Sequence, residues 1–276
     1  MLKVENVEVV GWAHTIRGMR NAKNSWAMSD SEYGCEEVPG SYRLCRECPP
    51  ERKAAYQGKP VYVIGPNDHT LMMTLRNAGA DHRKFMRFID VYMDITAPLY
   101  WWKEFETYRI GVAENPSDIE MISCSTMHKL AAKEFTLDDF SHENLIDYSL
   151  YACDESECLV LQGVPHIQCG GVQQLNMIID ALNFYRQKYL ETRHILSKNE
   201  KARQELAKKY WWQMIQLLPS SYNQLRTLKV AYEALANMYK ARKNHKLDEW
   251  RMFCNWIEGL PYSELITGKE KEGESK

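Results

Sequence analysis

The stretch FIDVYMDITAP constrains the fold more than any other part of the chain. Ile89, Val91, Met93 and Ile95 alternate with Asp90, Tyr92 and Asp94, and this period of two predicts a strand over Ile89–Ile95 with one buried face. Pro98 then suits the first turn of a helix, where its missing N–H would have had no partner anyway. The helix it opens, LYWWKEFETYR, packs two tryptophans, two tyrosines, a phenylalanine and four charges into eleven residues. On a helical wheel Trp101, Glu104 and Tyr108 share one face, Trp102, Phe105 and Arg109 the next, and Lys103 and Thr107 the third. Two readings fit: a packed amphipathic helix with Glu106 and Arg109 reaching out to water, or a pocket wall.

A chain of 276 residues can bury a sizeable core. Hydrophobic residues at 45% and charged residues at 26% are ordinary for globular proteins. The net charge of −2 gives no bulk attraction to nucleic acid or to an anionic membrane. No apolar run approaches the roughly 18 residues of a membrane span, and Met1–Glu5 does not read as a signal peptide. The expectation is a soluble, cytoplasmic protein whose partner is a small molecule rather than nucleic acid or membrane.

Three segments are expected: an N-terminal strand with a cysteine-containing irregular segment over 1–66, an α/β domain over 67–262, and a disordered tail over 263–276. Helices are expected over about 68–78 (capped by Asn67 or Asp68 and stopped by Gly79), 125–135, 172–192, 199–217, 221–243 and 246–257. The fold class is α/β (α+β): helix-rich, one domain, a small sheet. No P-loop, GxGxxG, GxSxG or HExxH is present, which argues against a glycine-rich phosphate site of the Walker or Rossmann kind.

The segment from His82 to Arg109, HRKFMRFIDVYMDITAPLYWWKEFETYR, resembles the central region of the flavin-dependent thymidylate synthases in order and spacing. That family has a histidine opening a helix, an alternating strand, an Ala-Pro turn and a helix ending in Arg-His-Arg. SCSTMHK stands where the family has Asn-Glu-x-Ser-x-Arg, and LLPSSYNQLRTLKVAYEALANMYKAR resembles the family's Leu-Pro followed by a long helix ending in arginine. The resemblance spans about Asn67 to Leu260. It implies flavin (FAD) contacts at His82, Tyr108 and Arg109, and nucleotide contacts at Glu104, Thr126, His128 and Arg242.

Several of these positions depart from the family pattern. Thr107 and Tyr108 replace Arg-His, Glu104 replaces a glutamine, Thr126 a serine, and His128 a phosphate-binding arginine. Ile215 stands in place of another phosphate-binding arginine, and Ala231 and Glu233 in place of an asparagine and an arginine that help hold the flavin. Charge-assisted bonds to a phosphate contribute about 1.5–3 kcal/mol each, so these losses bear directly on a uridylate site. Tyr108 and Trp102 could still stack on a flat ring, which favours the pocket-wall reading of their helix.

The resemblance implies a divergent enzyme that methylates dUMP or a related pyrimidine nucleotide with reduced flavin and a folate donor, acting as a homotetramer with sites between subunits. Catalytic side chains are not assigned, because the flavin carries the chemistry. The rival reading is a non-catalytic nucleotide-binding or structural protein that keeps the fold.

Cys45 and Cys48 form a CxxC, with Cys35 ten residues earlier and no second pair. A zinc knuckle and unligated thiols both fit this spacing, and the missing pair favours thiols. Protein dialysed against buffer is expected to carry far less than one zinc per chain by atomic absorption; stoichiometric zinc would make this segment a folded knuckle.

Overall fold

The computed structural model of the chain describes residues 1–38, 41–43, 61–111, 118–123, 129–147, 170–195 and 199–269. The elements run β1 (Lys3–Val10), α1 (Trp12–Asn21), β2 (Glu32–Val38), β3 (Ser41–Arg43), β4 (Val61–Val63), α2 (Pro66–Asn77), a 3-10 helix (Arg83–Phe88), β5 (Asp90–Pro98) and α3 (Leu99–Gly111). They continue with β6 (Ile119–Ser123), α4 (Gly171–His194), α5 (Glu200–Leu217), β7 (Asn223–Ala231), α6 (Tyr232–Arg242), α7 (Asp248–Glu258) and α8 (Glu264–Thr267). One sheet has the order β1-β5-β7-β6, and a second, three-stranded sheet the order β3-β2-β4. This is the helix-rich α/β class with a small sheet that the sequence predicts.

The alternation in β5 is realised residue by residue. Ile89, Val91, Met93 and Ile95 are all at most 1% exposed, while Tyr92 faces out. Its neighbour β7 is antiparallel in one register. Thr227 Oγ1 donates to Asp94 Oδ1 at 2.6 Å in the middle of the pair. Five residues along in each direction the backbone closes the ladder, Leu99 N donating to Tyr222 O at 3.0 Å and Tyr232 N to Ile89 O at 2.9 Å. Each strand therefore ends where a helix begins, α3 after β5 and α6 after β7.

The expected helix over 221–243 is thus corrected: its first half is strand. Gln224, Arg226, Leu228 and Val230 point inward, and Leu225 is 47% exposed. The pattern hides because two inward positions are polar. Arg226 Nε donates to Gln224 Oε1 at 2.8 Å, and the guanidinium lies over the Trp102 ring at 4.4 Å, so both polar ends are satisfied inside. The expected helix over 125–135 does not reach its expected end: among its described residues only Lys129 is helical. Residues 130–135 run as turns and coil, and Asn183 of α4 takes over the backbone of Phe135, accepting from its N and donating to its O.

The N-terminal segment is more regular than its composition suggests. Helix α1 starts from Gly11, whose φ of 98° and whose approach to Phe88 O leave no room for a Cβ. In β2–β4, Tyr33 pairs with Tyr62 and Glu36 with Tyr42, both antiparallel. The cysteines Cys45 and Cys48 and residues 270–276 lie outside the described residues. The tail expected to be disordered from 263 instead opens with helix α8, whose Leu265 and Ile266 are buried.

Two compact units emerge. One comprises Met1–Lys3, Ile95–Glu104 and Ser123–Arg226, the other Val4–Asp94, Phe105–Ile122 and Thr227–Lys276. In the first, α4 and α5 pack as an antiparallel pair over Phe135, Phe140, Leu175, Ile179, Leu182 and Met214. In the second, α6 packs on the 3-10 helix, α7 and α8. No helix among the described residues is long and apolar enough to cross a membrane.

A buried ion pair ties the second unit together. Arg20 of α1 donates to Asp68 of α2 at 2.5 Å, with side chains 4% and 0% exposed. Ser29 Oγ, Ser31 Oγ and the backbone N–H groups of Asp30 and Ser31 converge on the other carboxylate oxygen. Asp68 is therefore not the cap of α2. Asp30 caps it from the segment before β2, accepting from the N–H groups of Asn67 and Asp68.

Burial works to raise the Asp68 pKa, but the bonds from Ser31, Ser29 and Arg20 outweigh it and hold the carboxyl below its ordinary range. A depressed folded pKa stabilises the protein above the unfolded value, and that stability is lost as pH falls through the folded one. Asp68→Asn is expected to cost about 3 kcal/mol, since it strands the buried Arg20 charge. In urea melts from pH 7 to 3, the variant should lose less stability on acidification than the parent; identical slopes would remove Asp68 from the acid transition.

Candidate functional site

Helix α3 was open to two readings, and its burial decides between them. Trp101, Trp102 and Phe105 are fully buried and Tyr108 is 5% exposed, while Lys103 and Thr107 face water. The pocket-wall reading of its aromatic face is therefore corrected: the rings are core. Trp102 Nε1 donates to Gln224 O at 3.0 Å, and Trp101 packs edge-on against Trp102 at 4.9 Å. The aromatic rings of this helix receive cations from elsewhere in the chain. Arg226 lies over Trp102, and Arg242 of α6 lies between the rings of Tyr108 and Trp250, at 5.3 and 5.2 Å. Ring quadrupoles stabilise such half-buried guanidiniums by about 0.5–2 kcal/mol.

Tyr108 and Arg242, 134 positions apart by their numbers, are thus in contact. Glu104 sits half-buried one turn earlier on α3. The backbone of Arg109 lies in α3, but its side chain, together with Thr126 and His128, lies outside what is described. His82 is exposed and lines a different space, a cavity of about 420 Å³ with His14, Asp81, Lys84, Phe85 and Phe88. Neither Tyr108 nor Arg242 lines that cavity.

A second charged centre was not singled out from sequence. Glu233, at the second position of α6 and 3% exposed, accepts from Arg83 Nε at 3.2 Å and from Arg87 Nε. Arg83 Nη2 also donates to Asn237 Oδ1 at 2.9 Å. The signal available was the pair Arg83 and Arg87 following His82, together with a glutamate where the family resemblance puts a cation. Reading Glu233 only as a lost contact missed its two partners.

Two further cavities are present. A groove of about 1010 Å³ runs beside edge strand β1 and is walled by Trp12, Tyr33, Tyr62, Trp256 and Tyr262. Burial, then the nearby Asp68 charge, pushes the Tyr62 phenol up to about 12, so it stays protonated as a donor at neutral pH. The other, about 540 Å³, lies between α4 and α5 with Tyr189, Arg193, Arg203, Lys208 and Trp211 around it. Among the described residues no cluster of three or more His, Cys, Asp or Glu could hold a metal ion.

Arg242→Ala is expected to destabilise the protein by about 1–2 kcal/mol, because Tyr108 and Trp250 lose the cation between them. Arg242→Lys should recover only part of this, since an ammonium does not stack as a planar guanidinium does. Chemical denaturation followed by tryptophan fluorescence checks both; equal stability of all three proteins would show that the stack carries no energy.

No protein-family model matches the chain, and no curated protein matches it. Solved structures do. Thymidylate synthase X from Helicobacter pylori, crystallised with FAD and dUMP, superposes over 97% of this chain and 98% of its own, with a TM-score of 0.53 and 15% identity. A second structure of the flavin-dependent thymidylate synthase from the same organism, also with FAD and dUMP, gives a TM-score of 0.50, 15% identity and coverage of 96% and 99%. A UMP/dUMP methylase from Streptomyces cacaoi covers 94% of this chain and 88% of its own at 12% identity, with a TM-score of 0.49. At these identities the likeness concerns architecture: over nearly its whole length, the chain has the fold of the flavin-dependent thymidylate synthases.

Proposed function

We propose that this protein binds a flavin, FAD, and a pyrimidine nucleotide of the dUMP type, and methylates that nucleotide with a folate as carbon donor. One observation carries the reading: an end-to-end match of fold to an enzyme crystallised with FAD and dUMP. The flavin, when bound, supplies the hydride; the chain binds, orients and excludes water. His82 is the first flavin contact on this reading, and Phe85 and Phe88 line the same cavity. On the resemblance Arg109 belongs to the same cofactor contact, and Tyr108, buried against Trp250, would support it from the core. Arg242, with Glu104, Thr126 and His128, belongs to the nucleotide.

His82 lines a cavity that neither Tyr108 nor Arg242 lines. A homotetramer with sites shared between subunits reconciles that separation with a single active site. Light scattering at micromolar concentration is expected to give about four times the chain mass.

A second reading has its own observation. Positions where the family resemblance puts ligand contacts are taken up by internal packing in this chain: Tyr108 is buried against Trp250, Ile215 packs on the core of α4 and α5, and Glu233 is held by two arginines. A nucleotide-binding protein without catalysis would look like this.

One experiment separates the two. The purified protein is examined for flavin absorbance, titrated with dUMP and FAD by calorimetry, and assayed for thymidylate from dUMP, reduced flavin and methylenetetrahydrofolate. Binding with turnover supports the enzyme, and binding without turnover the second reading. No binding of either ligand at millimolar concentration by the intact oligomer would defeat the enzyme and leave a structural protein that keeps the fold.

A further inference from the structure

We propose that the groove between α4 and α5 binds a nucleoside phosphate, with the phosphate on Arg193 and Lys208 and the base against Trp211. The groove lies within the first compact unit. None of its lining residues is among the flavin or dUMP contacts named above, so the inference does not rest on that reading. Its volume of about 540 Å³ is in the range of small-molecule sites.

Charge selects the class of ligand. Three cations line the groove, Arg193, Arg203 and Lys208, and no carboxylate does. Arg203 is spent on the fold. Its Nε and Nη2 grip Glu200, and its Nη1 donates to the carbonyl oxygens of Thr192 and Arg193. That second contact covers the C-terminal end of α4, whose partial negative charge would otherwise repel an anion. The acids nearby are engaged or turned away. Gln204 Nε2 also donates to Glu200, at 3.0 Å, and Glu191 is taken by Gln187 and Lys188. Glu205, three residues before Lys208, is exposed and lies outside the lining. In sequence Leu196, Ser197 and Lys198, which join the two helices, bring no acid. Arg193 and Lys208 therefore face the groove with no carboxylate partner among the described residues.

The rings narrow the class further. The Arg193 guanidinium lies 5.5 Å over the Tyr189 ring, and its Nη1 donates to the Tyr189 hydroxyl at 3.4 Å. A stacked guanidinium keeps its other in-plane N–H groups directed outward, the geometry that grips a phosphate with parallel bonds. Lys208 brings a point charge from the facing helix. Beside them Ala207 is buried and Trp211 half-buried, so the floor is apolar and carries an indole. Two cations suit a dianionic phosphate, and an indole stacks on any base. A simple inorganic anion would leave the ring unused.

The probe is AMP, which stacks well and is not a pyrimidine of the kind the proposed reaction uses. Calorimetry on the full chain is expected to show one AMP per chain, bound at least tenfold more tightly than adenosine or inorganic phosphate and more weakly as salt rises. Arg193→Gln combined with Lys208→Gln should weaken AMP at least tenfold and leave the melting temperature unchanged, since both side chains are exposed. Lys209→Gln removes an exposed charge next to the groove but outside its lining, and should change nothing. Trp211→Leu should weaken AMP while inorganic phosphate binds as before.

AMP that binds no more tightly than inorganic phosphate would overturn the assignment to a nucleotide. AMP binding untouched by the double variant, or reduced as much by Lys209→Gln, would overturn the site itself, as would no binding at millimolar AMP. Titrating dUMP and FAD into the same double variant keeps this inference apart from the flavin reading. Loss of AMP with dUMP and FAD behaving as in wild type sustains a separate site, whether or not those two ligands bind. Loss of AMP and dUMP together would show one shared site and overturn the inference.

Discussion

The antiparallel register of β5 on β7 sets where α3 and α6 begin, and with them the places of Glu104, Tyr108, Glu233 and Arg242. It is pinned at its centre by Thr227 on Asp94 and closed at each end by a backbone bond to the residue that begins a helix. A slip of one residue would turn Ile89, Val91, Met93 and Ile95 outward, along with Leu228 and Val230 opposite them. The burial of six apolar side chains therefore resists any other pairing. Each strand hands over directly to a helix, which is how a strand register reaches side chains several turns away. Tyr108 and Arg242 sit toward the far ends of those helices, and it is α7 that supplies the second ring, Trp250, to the stack.

Charge is handled inside this protein by pairing and by rings. Asp68 and Glu233 are buried carboxylates, and each is met by arginine from another element. Arg226 and Arg242 are set against aromatic faces. Asp68 has one cation and several neutral donors, so its site is closed and structural. Glu233 is met by two arginines of the 3-10 helix, so its pairing ties that helix to the start of α6. Breaking a buried pair costs several kcal/mol.

Sequence reasoning reached different depths at different residues. The strand at β5 was legible because one face is uniformly apolar. That at β7 was not, because Gln224 and Arg226 occupy inward positions and leave Leu225 and Leu228 three apart, a helical spacing. Their burial depends on Trp102, more than a hundred positions away in the chain. The candidate site is a set of positions implied by resemblance, and of these Tyr108 and Arg242 are in contact. The Arg83–Glu233–Arg87 cluster was invisible because its partners are about 150 residues apart, and a lone glutamate reads as a loss.

The amino-acid sequence by itself determined the local facts: the buried face of β5, the junction at Pro98, the long helices α4 and α5, and the solvent-facing Lys103 and Thr107 of α3. These follow from periods of two and of 3.6 and from backbone chemistry, which act within a few residues. Tertiary structure alone decided that the rings of α3 are core, that Asp30 and not Asp68 caps α2, and that Arg242 lies between Tyr108 and Trp250. It also gave the glutamate at 233 two arginine partners from the 3-10 helix. In each case the deciding partner comes from a distant part of the chain, and the energy of a charge or a ring is set by what surrounds it rather than by its neighbours in sequence.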